Sequence, residues 1–394
     1  MSTQSETLAV LESLIAYESI SSRSNLDIIA YIEAYFSQRN VRSQRIPDTT
    51  GEKASILATI GPVDQPGIVL SAHTDVVPVE GQNWSSPPFS ATLKDDRVTG
   101  RGATDMKGFV ACVLSHVEHF QAAATVTPVH IAFSYDEEVG CKGAPDLVAA
   151  VASSPARPAL CIVGEPTGLR AVRAHKGKVA RRIEIIGRGG HSAMPHLGVN
   201  AVTAAARITM MLDEAGAEIA RSGIRDDMFD PPHSTVHVGS LHGGTALNLV
   251  PDRAVLEFEL RDIAGENGSA RIADIDRRID ELRVELRAHA PEADIRIEEI
   301  ASYPALSMPA DHPAVATVAR LAERAPAKMG VSFGTEAGLY AAVGIPTVVC
   351  GPGDIARAHK ADEWIGFDEL ADADRMMQRL AEQLRKPIGE WLTQ

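Results

Sequence analysis

The sequence is short of cysteine, has no excess of basic charge and contains no long apolar run, and each shortage closes off a class of function. Cys112, Cys141, Cys161 and Cys350 are the four cysteines in 394 residues. They form no C-x-x-C pair and no short-loop pattern, so neither a zinc finger nor a disulfide scaffold is suggested. That usage predicts a reducing, cytoplasmic setting. Lysine and arginine number 38 against 52 acids, a formal charge of −14. Nucleic acid and anionic membrane surfaces are held by clustered cations, so neither is an expected partner. The same acidity suits carboxylates gathered around a cation. No run approaches the ~18 apolar residues of a membrane span, and Met1 to Glu6 carries no basic or apolar targeting segment. Nucleotide and serine-nucleophile signatures are also missing. Gly100-Arg101-Gly102 leads to Asp105 rather than a third glycine, Gly189-Gly190-His191-Ser192 lacks the Lys-Ser/Thr of a phosphate loop, and Ser192 is not in a G-x-S-x-G elbow.

What is present is a set of apolar strands that end in metal-ligand chemistry. Gly67 to Ala72 is an apolar run that stops at His73-Thr74-Asp75, and Gly100 to Thr104 is a glycine-rich loop that delivers Asp105. An imidazole with a carboxylate two residues on supplies a ligand and an acceptor that fixes its tautomer, although H-x-D alone is a weak signal. Val129 to Tyr135 is a second strand, leading into Asp136-Glu137-Glu138. Three adjacent acids repel unless something positive sits among them; the plainer reading is a solvated turn. Ala159 to Gly164 ends in Glu165, and Pro346 to Gly353 is followed by a loop carrying His359. His73, Glu137, Glu138, Glu165 and His359 thus all lie beyond the carboxyl ends of strands, the edge at which α/β sheets bind ligands. Independent surface turns would not agree in this way.

The length predicts two domains. Helices are expected over Glu6 to Tyr17, Ile28 to Phe36 and Lys107 to Phe120, with His116 and His119 of the last on its surface. The middle of the chain has another rhythm: strand Lys178 to Gly187, helix Val199 to Glu218, strands Ser234 to Leu241 and Ala254 to Arg261, helix Ile272 to His289, strand Ala293 to Ile300. This β-α-β-β-α-β order is the ferredoxin-like split pattern. The expected division is an α/β domain over 1–177 and 301–394, and an inserted α+β domain over 178–300.

Six motifs carry a resemblance. S-A-H-T-D-V-V-P-V, G-R-G-A-T-D-M-K-G, S-Y-D-E-E-V-G, V-G-E-P-T, G-G-H-S-A-M-P and A-H-K-A-D-E-W occur in order over nearly the whole chain, and together they resemble the dinuclear zinc amidohydrolases of the M20 metallopeptidase family. F-G-T-E-A (Phe333 to Ala337) and G-P-G-D-I-A-R-A-H (Gly351 to His359) are similar to its acetylornithine deacetylase branch. The resemblance implies that 1–177 and 301–394 form a zinc-peptidase-like catalytic, metal-binding α/β domain with a central mixed sheet, with the ferredoxin-like insert as lid and dimerisation domain of a homodimer.

The donors His73, Asp105, Glu138, Glu165 and His359 are N and O ligands without thiolate, which suits two divalent ions such as zinc or cobalt. With Asp105 bridging, one ion would take His73 and Glu165 and the other Glu138 and His359, a partition the resemblance also implies. Two such ions can lower the pKa of a shared water to about 7. Asp75 would hold the far nitrogen of His73. Glu137, not needed as a ligand, is the expected general base, as for the matching family glutamate. His191 resembles the family histidine that completes the site across a dimer interface, and it is also readable as a loop histidine. Arg261 and Asn248 look like family residues that hold the substrate carboxylate and carbonyl, although Arg261 could instead pair with Asp262 or Glu259. Glu336 could attract a substrate ammonium, or stand at a helix start.

The expected activity is metal-dependent hydrolysis of a small N-acyl amino acid, N-acetyl-L-ornithine giving L-ornithine and acetate, a step of arginine biosynthesis. Alternatives within the family are succinyl-diaminopimelate desuccinylase, another deacylase, or a carboxypeptidase or dipeptidase. An alternative of another class is a dimeric metal-binding protein without catalysis.

Overall fold

Four strands buried along their whole length set the frame: Ile68–His73, Val129–Ser134, Leu160–Pro166 and Thr347–Gly351. Apolar on both faces, they pair in parallel, as strands covered by helices on either side do. In the computed structural model, which describes residues 3–392, they belong to a mixed six-stranded sheet. Its order is Ser43–Pro47, Ala54–Ile60, Val129–Ser134, Ile68–His73, Leu160–Pro166, Thr347–Gly351, the first two strands being antiparallel additions. The parallel register aligns the carboxyl ends, so the polar residues that follow each strand emerge at one edge.

Contacts divide the chain into two units. The first runs to Ala174 and resumes over Leu306–Gly330 and from Thr335 onward; the second is His175–Ala305 with Val331–Gly334. The second unit is a four-stranded antiparallel sheet, ordered Thr235–Gly243, Arg253–Arg261, Lys178–Ile186, Asp294–Tyr303. Burial alternates residue by residue along Arg253–Arg261, and its buried residues Leu256, Phe258 and Leu260 pack with Ile208 and Leu212 of one helix and Ile275 and Ile279 of another. The helices are Ala201–Ser222 and Gly268–His289. Each starts at an asparagine whose side chain accepts an N–H from the first turn: Asn200 from Thr203 and Asn267 from Ala270. The Asn267 cap extends the second helix a turn before the Ile272 start that apolar spacing predicts.

The expected helix over Lys107 to Phe120 is interrupted. It forms Gly108–Ser115 and Val117–Ala123, with His116 at the break. His116 is fully buried, against the expected surface location, and its Nδ1 lies 2.8 Å from the Cys112 carbonyl oxygen. Burial pushes its pKa down to about 4, so the ring is neutral there. His119 is exposed, as expected. Among the described residues no helix is long and apolar enough to cross a membrane.

Close packing of the sheet depends on two glycines beside the site. A Cβ on Gly351 would stand 1.9 Å from the Gly164 carbonyl oxygen on the neighbouring strand, and one on Gly164 would stand 2.1 Å from the Phe109 ring. Backbone cannot rotate away as a side chain can, so Gly351→Ala should cost about 1–3 kcal/mol or more. Gly216, within the helix Ala201–Ser222, meets only Val236 at 3.5 Å, and Gly216→Ala should be neutral or stabilising by up to about 1 kcal/mol. Thermal unfolding of the two variants checks the contrast; equal midpoints would contradict it.

Candidate active site

At the common edge of the parallel strands the donors converge. His73 closes its strand, and its Nε2 lies 3.2 Å from Asp105 Oδ1 and 3.8 Å from Glu165 Oε1. His359 Nε2 lies 3.3 Å from the other oxygen of Asp105 and 2.9 Å from Glu138 Oε2. The two oxygens of Asp105 therefore face two different imidazoles, each of which stands beside a further carboxylate. One ligand atom each of His73, Asp105 and Glu138 lie within 4.8 Å of one another, and the same holds for His73, Glu137 and Glu165. The donor set, imidazole nitrogen and carboxylate oxygen with no thiolate, fits divalent zinc, cobalt or manganese.

Burial and mutual proximity shift the titration of every member of the group. Burial, then the neighbouring charge of Asp105, pushes Glu138 up to about 7. Burial likewise pushes Glu137 up to about 8, with Glu138, Asp75 and Asp105 adding to it and His73 opposing. Glu165 is held well above the usual carboxylate range for the same reasons. Hydrogen bonds to Asp105 and Glu138 raise His359 to about 10. Burial works against charge on His73, but Asp105 and Asp75 outweigh it and hold the ring well above its ordinary value. Asp105 itself is lowered, because the two imidazoles outweigh its burial. Carboxylates and imidazoles thus share protons where a cation would replace them.

The acidic turn after Val129–Ser134 is sorted residue by residue. Asp136, with φ of +54°, turns the chain sharply, and its carboxylate meets Lys53 Nζ at 2.6 Å. Glu138 goes to His359, and Glu137 Oε1 lies 3.5 Å from Cys141 Sγ. The three adjacent acids are therefore separated by direction. Asp75, expected at the far nitrogen of His73, stands 3.5 Å from Nδ1 through Oδ1, while its own backbone carbonyl is nearer, at 2.9 Å. The Asp75 carboxylate also accepts the Glu137 N–H at 3.1 Å, the Glu138 N–H at 3.3 Å and the Ser21 hydroxyl at 2.7 Å. It ties the turn to the strand end that carries His73.

Glu336 stands at the start of the helix Ala337–Ala342 but does not cap it. Its carboxylate is buried beneath the strands, accepting the hydroxyl of Ser71 and that of Ser134, the latter at 2.7 Å. Each of its oxygens accepts one hydroxyl, and the residue is almost wholly buried.

The remaining expected residues belong to the second unit. His191 and Asn248 are exposed neighbours there: His191 pairs with Leu249 in a short antiparallel bridge, and the Ser192 N–H donates to the Asn248 carbonyl at 3.1 Å. Arg261, half-buried, donates to Glu259 at 3.0 Å and to the Tyr303 hydroxyl at 2.9 Å. The pairing with Glu259 is the structural alternative raised for it by its sequence neighbours.

Two residues not singled out by sequence lie beside the donors. Arg101 and Glu363 form an ion pair at 2.7 Å, both 1% exposed. They fall inside the motifs G-R-G-A-T-D and A-H-K-A-D-E-W, which is the signal that could have found them.

Comparison with known proteins agrees with this geometry. The model of peptidase family M20/M25/M40 matches residues 69–383. The acetylornithine deacetylase of Myxococcus xanthus is 32% identical over 94% of this chain and 95% of its own. That of Photorhabdus laumondii is 30% identical over 95% and 96%. Among solved structures, an M20 family metallo-carboxypeptidase from Sulfolobus solfataricus superposes with a TM-score of 0.76 at 18% identity, covering 96% of this chain and 99% of the other. A dinuclear metal-binding M20 peptidase from Bacillus subtilis gives 0.66 at 17%, covering 98% and 99%. Matched along most of its length by the family model and by relatives at this identity, the chain belongs to peptidase family M20/M25/M40.

Proposed function

We propose that the chain is a zinc- or cobalt-dependent deacylase that hydrolyses the amide of N-acetyl-L-ornithine, releasing L-ornithine and acetate. The observation that carries the reading is Asp105, whose two oxygens face His73 and His359 while Glu165 and Glu138 flank them. His73 and Glu165 would hold one ion, Glu138 and His359 the other, and Asp105 both. Bound there, a pair of ions would supply Lewis-acid polarisation of the amide carbonyl and a more acidic water. Glu137 is the general base: its carboxylate accepts a proton from water as the carbonyl is attacked and returns it to the leaving nitrogen. Asp75 keeps Glu137 in place by holding its backbone N–H. The choice of N-acetyl-ornithine rests on the likeness to acetylornithine deacetylases at about 30% identity.

In the second unit, Arg261 and Asn248 are assigned to the substrate carboxylate and carbonyl. Arg261→Met should raise KM far more than it lowers kcat. Loss of a hydrogen bond to a charged group costs about 1.5–3 kcal/mol, or about 10- to 150-fold. A variant with unchanged KM would leave Arg261 to its partners Glu259 and Tyr303. His191 is assigned to a site shared in a homodimer, and the apolar side chains of Met194, Leu197 and Leu247 exposed in the same unit suit burial against a second copy. Sedimentation that finds only monomer at micromolar concentration would count against it.

The test of the function is amine release from N-acetyl, N-formyl and N-succinyl amino acids and dipeptides, with chelated and metal-reconstituted protein. Preference for N-acetyl-ornithine that disappears with chelator is expected. Metal-dependent turnover of another member would keep the donors and Glu137 but reassign Arg261.

A further inference from the structure

Asp105 and His359 come from loops 254 residues apart in sequence, and something must set the distance between their ligand atoms. The Asp105 loop has unusual backbone demands. Gly102 has φ of +83°, and the N–H groups of Gly102, Thr104 and Asp105 point inward without helical partners. Such a concavity of N–H groups binds an anion. Here the anion is the Glu363 carboxylate: Oε1 accepts from Thr104 at 2.9 Å and from Asp105 at 3.0 Å, and Oε2 accepts from Gly102 at 3.1 Å. Oε2 also meets Arg101 Nη1 at 2.7 Å. Both carboxylate oxygens are thus fully committed to the loop that carries Asp105.

The other half of the arrangement holds His359. That residue has φ of +60°, a left-handed backbone that is uncommon outside glycine. Its carbonyl accepts from Gln82 Nε2 at 3.0 Å, and the next carbonyl, of Lys360, accepts from Arg101 Nη1 at 3.3 Å. Gln82 is in turn oriented through Oε1, which accepts from Arg101 Nη2 at 2.6 Å and from the Trp84 indole N–H at 3.1 Å. One guanidinium therefore touches the carboxylate that shapes the Asp105 loop and both groups that hold the His359 backbone. Arg suits this because its donors are fixed in one plane.

We propose that the buried Arg101–Glu363 pair, with Gln82, is the positioning element of the metal centre, locking the Asp105 and His359 loops at the separation that lets both side chains bind the same ion. The inference rests on the assignment of Asp105 and His359 as ligands. Neither Arg101 nor Glu363 touches the reacting atoms; they act through the backbones of the ligands.

The test is a titration of the metal-free protein with cobalt(II), followed by calorimetry and by the visible absorption of the bound ion, which reports its coordination geometry. Glu363→Gln puts an amide NH₂ against N–H donors and should weaken one of two cobalt sites by about 10- to 100-fold, with a changed absorption band. Because that variant leaves a buried guanidinium unpaired and can fail to fold, Gln82→Ala is measured beside it. It should weaken the same site toward the lower end of that range and alter the band, while the metal-free unfolding midpoint stays at the wild-type value. Asp105→Asn separates the two levels of the argument. If it loses cobalt while Gln82→Ala and any folded Glu363→Gln bind and absorb as wild type, the positioning role is overturned. If Asp105→Asn itself binds two cobalt ions as wild type, the ligand assignment beneath it fails.

Discussion

Glu137→Gln should reduce hydrolysis by about 10²- to 10⁴-fold, the range associated with loss of a positioned general base, and leave metal content unchanged. The substitution is nearly isosteric, so the backbone N–H that Asp75 accepts and the contact with Cys141 can both persist. The ligand atoms of His73, Asp105, Glu138, Glu165 and His359 are untouched. What is lost is the capacity to take a proton from water and deliver it to the departing nitrogen. The drop should therefore fall on kcat, with KM little changed. This outcome also separates an enzyme from a protein that merely binds metal, because binding needs the five donors but not a fourth carboxylate beside them. Full activity in the variant, with both ions bound, would remove Glu137 from the chemistry.

The strands and the donors at their ends were legible because both have local signatures. A parallel strand covered on both faces reads as an unbroken apolar run, and each run here stops at a titratable residue that is buried with the strand end rather than turned out to solvent: His73, the Asp136 turn, Glu165. The insert was legible from the change of period, since Arg253–Arg261 alternates whereas Ile68–His73 does not. What was not legible depends on pairings across the chain. Glu363 fills the Asp105 loop from 258 residues away; the motif A-H-K-A-D-E-W marks its stretch of chain, but nothing local says that this carboxylate is destined for the backbone N–H groups of that loop. The hydroxyl partners of Glu336 were hidden for the same reason, because those serines lie on two strands more than 200 residues earlier. His116 was misplaced on the surface because a polar residue in an amphipathic pattern reads as exposed. A bond to its own helix's carbonyl and a break in that helix let it enter the core as a neutral ring.

Opposite responses to pH are expected from the metal-free and metal-loaded protein. Without metal, Glu137 and Glu138 hold protons up to about 8 and about 7 in the fold, against about 4.5 when unfolded. His359 holds its proton up to about 10, against about 6.5 unfolded. In both cases the native state binds more protons than the unfolded state between the two values. Raising the pH through that window therefore removes stability, first at the carboxylates above about 4.5 and then at His359 above about 6.5. Three buried histidines, His116, His130 and His175, are held down at about 4 and pull the other way below about pH 6.5. Lys107, pushed down to about 7 by burial, offsets part of the trend above that. The net fall in the unfolding midpoint of chelated protein is therefore expected between about pH 6.5 and pH 9. Metal binding reverses the sign, because the donors coordinate only when deprotonated, so affinity rises with pH. At a free metal concentration of about 100 times Kd the ion adds about 2.7 kcal/mol, and that margin should widen toward alkaline pH. The same linkage requires protons to be released when zinc or cobalt binds near pH 7, which appears in calorimetry as a binding enthalpy that changes with the ionisation enthalpy of the buffer. A chelated protein whose midpoint climbs between pH 6.5 and pH 9, or a metal-binding enthalpy identical in phosphate and Tris, would mean that the carboxylates at this edge are already ionised. The crowding of Glu137, Glu138 and Glu165 around Asp105 would then have to be relieved by something other than shared protons.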